Sequence, residues 1–285
     1  MPTSPPQPVH GPRLTASALI SALRLGVGRD RWSITSMIAR RTLSKEVRRT
    51  VRTKRLRMRV QDREVTVWCR DTSSDAEVLR EVFLDRAYPV EQALRERSEP
   101  TVLDLGANTG LTSVLFSALA PRARVVAVEP LPHNLAVLLA NAGEPWHRPW
   151  QVVPAAISGE TGEADFYWSG WYSSGTLHAD IAGTRQGNPH RQEHRQAMRP
   201  IRVATTTVQD LVDELGISDI DLVKVDIEGA EEKLFAGDPA WLHRTRCVAI
   251  DVHDRYIDGN SVREQLRLAG FRQVAQADRT AVFLR

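Results

Sequence analysis

Residues 101–110 read TVLDLGANTG, and their chemistry decides the architecture. Residues 101–105 form a short apolar run broken by one acid, Asp104, and closed by Gly106. Such a run is a buried strand ending in a tight turn. Residues 111–120, LTSVLFSALA, have helical length and stop at Pro121, whose ring cannot continue a helix. A strand, a glycine turn and a helix present backbone N–H groups and the positive end of a helix dipole to a ligand. Glycine suits the turn because a Cβ would obstruct both it and the ligand. A second strand, 124–128, ends in Glu129-Pro130. Glu129 lies nineteen residues after Gly110, near the ~20-residue offset at which a carboxylate meets ribose hydroxyls. The unit reads as a nucleoside site.

The residues also discriminate between nucleosides. A dinucleotide site needs G-x-G-x-x-G, with its central glycine beneath the pyrophosphate. Here the run is Gly106-Ala107-Asn108-Thr109-Gly110, with Asn108 in that place and Asp104 where phosphate charge would rest. A carboxylate repels phosphate and tolerates a cation. The reading therefore favours S-adenosylmethionine, an adenosine with a sulfonium, an ammonium and no phosphate. A nucleotide-dependent oxidoreductase is the enzyme alternative.

Outward from this unit, the C-terminal side alternates strands and helices as βαβ units require. Strands are expected at 151–156 with Ile157-Ser158 at its end, and at 165–168, 201–205, 221–225 and 247–251, with helices at 132–142, 207–215, 229–235 and 261–269. Residues 271–274 and 281–284 read as a closing hairpin. The whole forms a seven-stranded, mostly parallel sheet with helices on both faces and an antiparallel final pair. Residues 169–200 are the least regular; a loop this long inside a domain is functional or disordered. Its first part, SGWYSSGTL, has the aromatic and hydroxyl character of a substrate loop.

On the N-terminal side, residues 1–12 hold five prolines and a glycine and read as a disordered tail. Residues 13–70 read as a basic extension that covers the main domain: helices at 14–25 and 32–43, then a hairpin of strands 47–60 and 64–69 turning at Gln61-Asp62. A helix at 76–85 opens the catalytic domain, 71–285. Residues 1–60 carry a formal charge of +12 and the remainder −9. A basic arm on an acidic body suits nucleic acid, an anionic membrane, an acidic partner or the body itself. Trp32 is its one aromatic, too few for base stacking, so a solvated arm or one docked on the body is favoured and a nucleic-acid or membrane-surface binder is the non-enzyme alternative. Cys69 and Cys247 match no metal spacing and read as buried hydrophobes of a cytoplasmic protein. No transmembrane span is expected, no nucleic-acid partner either, and a homodimer is left open.

VLDLGANTG, VEP, AISGETG, SSGTL, LVKVDIEGAEEKLFAG and VAIDVHD, in that order over residues 71–255 and with DTSSDAEVLREVF before them, resemble the FkbM-type methyltransferases. KVDIEGAE is the most specific piece. The resemblance implies a class I (Rossmann-like) methyltransferase fold, S-adenosylmethionine as donor with S-adenosylhomocysteine as product, and O-methylation of a hydroxyl on a polyketide, sugar or related small molecule. Family members commonly carry E-x-H at the end of the fifth strand, where this chain has Asp251-Val-His253; the shorter acid changes the reach of a base there.

Ligands of open α/β sheets bind at the carboxyl ends of the strands, which gathers Asp104, Gly106, Ala107, Asn108, Gly110, Glu129, Pro130, Ala156, Ile157 and Asp226 as the expected cofactor site. Asp104 is expected to face the donor's ammonium, Glu129 the ribose, and Ala156 and Ile157 the adenine. For the base that takes the acceptor's proton, His253 and Asp226 rank equally, with Asp251 as a candidate to orient the imidazole. Trp171, Tyr172 and Ser174 are expected to meet the acceptor. Lys224, in an apolar strand, requires a carboxylate, with Asp226 and Asp251 as candidates. Glu228 and Glu231 read as acids complementing a helix N-terminus. No metal is expected; Mg²⁺ on Asp226, Glu228, Asp251, His253 and Asp254 is the minority reading.

Overall fold

The computed structural model describes residues 15–43, 51–71, 73–168, 175–177, 199–236, 239–254, 256–277 and 279–285; the tail at 1–12 lies outside them. The chain opens with helices α1 (Ala16–Leu25) and α2 (Asp30–Leu43) and a hairpin of β1 (Thr53–Val60) and β2 (Arg63–Arg70). Then come α3 (Ser73–Phe83), α4 (Glu91–Arg95), β3 (Thr101–Leu105), α5 (Leu111–Leu119), β4 (Arg124–Val128), α6 (Pro132–Ala142) and the strands β5 (Gln151–Val153), β6 (Ala156–Ile157), β7 (Gly162–Trp168), β8 (Gly175–Thr176) and β9 (Arg199–Thr206). The chain closes with α7 (Val208–Glu214), β10 (Leu222–Val225), α8 (Glu231–Phe235), α9 (Ala240–His243), β11 (Cys247–Asp251), α10 (Gly259–Leu268), β12 (Arg272–Ala277) and β13 (Thr280–Leu284).

The main sheet has the order β12-β13-β11-β10-β3-β4-β5. β5, β4, β3, β10 and β11 are parallel, and β13 is antiparallel to both its neighbours. The central strands are buried along both faces, as a parallel sheet covered by helices must be. Alternation along each strand splits their side chains into two cores. Val102, Val125, Ala127, Leu222 and Ala249 pack with α3, α5 and α6, whereas Leu103, Leu105, Val126, Val223 and Ile250 pack with α7, α9 and α10.

Two sequence expectations are corrected here. The strand read at 151–156 breaks at Pro154, which has no N–H to give the ladder. β5 therefore ends at Val153, and Ala156–Ile157 pairs instead with Thr205 and Thr206 of β9. The strands read at 165–168 and 201–205 do not enter the main sheet. They pair antiparallel as β7 and β9 in a second sheet of order β6-β9-β7-β8, whose small core is Leu131, Ala156, Phe166 and Val203.

The basic extension docks on the α3–α5–α6 layer. Ile34, Met37, Ile38, Leu56 and Met58 are buried in one cluster with Leu79 and Phe116. Its cations meet acids of the body: Arg40 and Lys54 lie 3.0 and 3.1 Å from Asp71, and Arg55 grips Glu144 with two bonds of 2.9 Å. Asn141 of α6 accepts from Trp68 N at 2.7 Å and donates to Trp68 O and Thr109 O at 2.9 and 2.8 Å. One buried amide thus ties the hairpin to the start of α5. No helix among the described residues is long and apolar enough to cross a membrane.

Candidate active site

The turn after β3 runs through left-handed backbone at Gly106 (φ +77°), Asn108 (φ +53°) and Gly110 (φ +83°). A Cβ on Gly106 would stand 2.0 Å from the Asp226 carbonyl, so glycine lets the turn lie flush against the end of β10. The N–H groups of Gly106, Ala107 and Asn108 are engaged within the protein rather than offered outward as the sequence suggested. Gly106 N and Ala107 N both donate to Val128 O, at 3.1 and 2.9 Å, and Asn108 N donates to Glu129 Oε2 at 3.0 Å. The reason is that the turn folds back over the end of β4. Glu129 is 5% exposed; its Oε1 accepts from Leu131 N and Asn134 Nδ2 at 2.9 and 3.0 Å. Burial raises its pKa, and the bonds from Leu131, Asn134 and Asn108 oppose that rise. Pro130, half-buried, carries the chain on into α6.

Asp104 is fully buried. Its Oδ2 accepts from Ser113 Oγ at 2.7 Å, and its Oδ1 lies 3.2 Å from Lys224 Nζ. Asp104 and Lys224 are register partners on adjacent strands, so their side chains leave the sheet on the same face. Lys224 therefore takes Asp104 as its nearest carboxylate, with Asp226 second at 3.8 Å; Asp251 pairs with Arg279 instead, at 3.4 Å. The ammonium also donates to Gly106 O at 2.7 Å. Burial lowers the Lys224 pKa, but Asp104 and Asp226 outweigh it and leave the group above its usual value.

Beyond β10, Asp226 sits with a third of its side chain exposed. The next residues, Ile227, Glu228 (φ +54°) and Gly229 (φ +97°), turn the chain into α8. Glu231, fully buried, accepts from His253 Nδ1 at 2.6 Å. On the other side of the ring, Nε2 faces Glu228 Oε2 at 3.5 Å and Asp226 Oδ1 at 3.9 Å. The sequence assigned Glu228 and Glu231 to a helix terminus, and Glu231 does open α8; it offered Asp251 for the imidazole. The strand ends at Asp251, so alternation does not bring it under His253, and Glu231 orients the ring. Burial lowers the His253 pKa, yet the Glu231 bond and the charges of Glu228 and Asp226 raise it to about 10. In this arrangement His253 keeps a proton at neutral pH. Asp251 is raised to about 6 by burial and by Asp226.

Ala156 and Ile157 are both buried. Ile157 lines a cavity of about 180 Å³ that reaches Leu177, Ile227, Ala230 and Lys233. The carboxyl edge therefore brings together Gly106, Asn108, Glu129, Asp226 and His253, with Asp104 sealed beneath them. Trp171, Tyr172 and Ser174 lie outside the described residues. Glu231, as the partner of His253, and Arg279 are the site groups that reading the sequence missed. Their signal is a surplus of acid in DIEGAEE, and what it faces is set by strand order.

A family model described as the methyltransferase FkbM domain matches residues 104–273. The chain is 32% identical over 221 residues to the 31-O-demethyl-FK506 methyltransferase FkbM of Streptomyces tacrolimicus, covering 70% of this chain and 82% of that one. It is also 32% identical over 166 residues to the 2-O-methyltransferase NoeI of Sinorhizobium fredii, covering 57% of this chain and 67% of that one. Among solved structures, the precorrin-6y C5,15-methyltransferase of Geobacter metallireducens aligns with TM-score 0.39 and 14% identity, over 68% of this chain and 82% of that one.

Proposed function

This chain belongs to the FkbM methyltransferase family, and we propose that it is an S-adenosylmethionine-dependent O-methyltransferase acting on a hydroxyl of a small-molecule metabolite. The observation that carries the reading is the joining of the buried Glu129 carboxylate to the glycine turn through Asn108 N. Glu129 would then stand at a nucleoside's expected ribose position, in a site that the half-buried Asp226 and Glu228 also flank. Such a donor set fits a cationic nucleoside better than a dinucleotide. Glu129 would bind the ribose, Gly106 to Gly110 and Pro130 would frame the donor's adenosine and tail, and Ala156 and Ile157 would flank the adenine. Asp104 holds Lys224 and so supports this edge from beneath. When bound, S-adenosylmethionine supplies an electrophilic methyl group on a sulfonium and leaves as S-adenosylhomocysteine.

Of the two base candidates, we assign the proton to Asp226. His253 already holds one, whereas Asp226 has a carboxylate one-third exposed. The acceptor's hydroxyl oxygen gains the methyl as its O–H bond breaks, and Asp226 takes the proton. The His253 imidazolium, pinned by Glu231, steadies the carboxylates on either side of it. In-line alignment of acceptor and donor contributes ~7–11 kcal/mol to the lowered barrier, and the base ~10²–10⁴-fold. Trp171, Tyr172 and Ser174 are assigned to the acceptor. The names of the two relatives specify 2-O and 31-O positions, which supports an oxygen acceptor here. The free, buried Cys69 and Cys247 suit a cytoplasmic enzyme.

The test uses methyl-labelled S-adenosylmethionine with a panel of hydroxylated glycans and macrolides. Label should pass to at least one acceptor, and Asp226→Asn should lower kcat by ~10²–10⁴-fold with little change in donor affinity. Full activity of Asp226→Asn would refute the base assignment.

A further inference from the structure

We infer that Asp226, Asp251 and His253 form a divalent-cation site at the acceptor side of the methyl-transfer centre. One oxygen of Asp226, one of Asp251 and a ring nitrogen of His253 lie within 4.8 Å of one another. Two ligands of a single ion, each ~2.0–2.6 Å from it, are at most ~4–5 Å apart. Small side-chain movements would therefore complete the coordination.

Three features set this group apart from an ordinary acidic cluster. First, Asp251 is 5% exposed and its Oδ1 has no hydrogen-bond partner, an arrangement that is costly for a buried carboxylate unless a cation joins it. Second, the fixed protein cations sit on one oxygen of each carboxylate: Arg279 is at Asp251 Oδ2 and Lys224 at Asp226 Oδ2. Asp226 Oδ1 is left facing the imidazole. Third, Glu231 holds His253 Nδ1 from a fully buried position, directing Nε2 at the carboxylates, where a divalent ion would replace the Nε2 proton. A carboxylate that fixes one nitrogen of a histidine while the other binds metal is the usual support of a histidine ligand. Glu228, 3.5 Å from Nε2, is within reach as a further oxygen donor.

The mixed oxygen and imidazole set suits Mn²⁺ better than the harder Mg²⁺. A cation here would polarise the acceptor hydroxyl and lower its pKa, and with the ion bound Asp226 would hold it rather than take the proton; that role rests on the methyl-transfer reading, whereas binding of the ion does not.

The experiment is calorimetric titration of chelator-stripped, full-length protein with Mn²⁺ alone, paired with loss of the free Mn²⁺ signal in electron paramagnetic resonance. One ion per chain is expected. Asp251→Asn and His253→Gln should each weaken binding at least 10-fold, and Glu231→Gln ~10–100-fold, all with unchanged circular dichroism. Absence of stoichiometric Mn²⁺ binding to the wild-type protein, or binding untouched by both ligand variants, would overturn the site. Titration of S-adenosylmethionine into the same stripped protein separates the two claims. Mn²⁺ binding without donor binding would remove the methyl donor and keep the cation, and the reverse result would do the opposite.

Discussion

Replacing Lys224 with methionine, which keeps most of the side-chain volume and removes the charge, should destabilise this protein by about 3–5 kcal/mol. The lysine is 1% exposed, and its ammonium joins the carboxylate of Asp104, itself fully buried, to Gly106 O. Removing one member of a buried pair leaves the other charged and unpaired, at a cost of ~3–5 kcal/mol. Counting bonds gives about 3–6 kcal/mol, an overlapping range, since two hydrogen bonds to a charged group contribute ~1.5–3 kcal/mol each. Ser113 Oγ still donates to Asp104 Oδ2, which keeps the loss from the upper end. Urea unfolding followed by tryptophan fluorescence would read the change as a lower midpoint at constant slope. Asp104→Asn should make Lys224→Met less damaging, by a coupling energy of ~1.5–3 kcal/mol in the double-variant cycle. A loss below ~1 kcal/mol for Lys224→Met, or strict additivity of the two changes, would refute the assignment of Asp104 and Lys224 to each other.

Three further outcomes follow from the contacts. Gly106→Ala should cost more than ~2 kcal/mol, because the new Cβ would meet the Asp226 carbonyl at 2.0 Å and φ is +77°; urea unfolding measures this. Asn141→Ala leaves Trp68 N, Trp68 O and Thr109 O without their side-chain partner, and should cost ~2–4 kcal/mol with faster amide exchange in the β1–β2 hairpin. The Arg55 hydrogen bond holds the Glu144 carboxyl below its ordinary pKa. A depressed folded value means that the bond's contribution is complete above the unfolded carboxylate pKa of ~4.3 and is lost as pH falls through the folded value. Thermal melts of wild type and Glu144→Gln should therefore converge as pH falls below about 4.

The central fold was readable because its signals are local. The apolar run 101–105, the helix stop at Pro121 and the acid at Glu129 each depend on a few neighbouring residues, and the edges of β3, β4 and β11 coincide with that reading. Pro154 was equally visible, but its consequence depends on where the next residues find a partner. That partner, β9, lies nearly fifty residues on. The same distance hid the site's inner wiring. Glu231 and His253 are 22 residues apart, and they meet because β10 and β11 are adjacent. Asp104 and Lys224 meet across 120 residues because β3 and β10 share a register. A buried lysine announces that it needs an acid, whereas strand order decides which one.

The most direct test of the account is titration calorimetry of S-adenosylmethionine and S-adenosylhomocysteine into wild-type protein and into Glu129→Ala, with circular dichroism confirming that the variant is folded. The account predicts saturable binding of both ligands at one site per chain, weakened at least 10-fold in Glu129→Ala. Absence of binding to the wild-type protein would contradict the donor reading, and undiminished binding to Glu129→Ala would contradict the ribose assignment on which it rests.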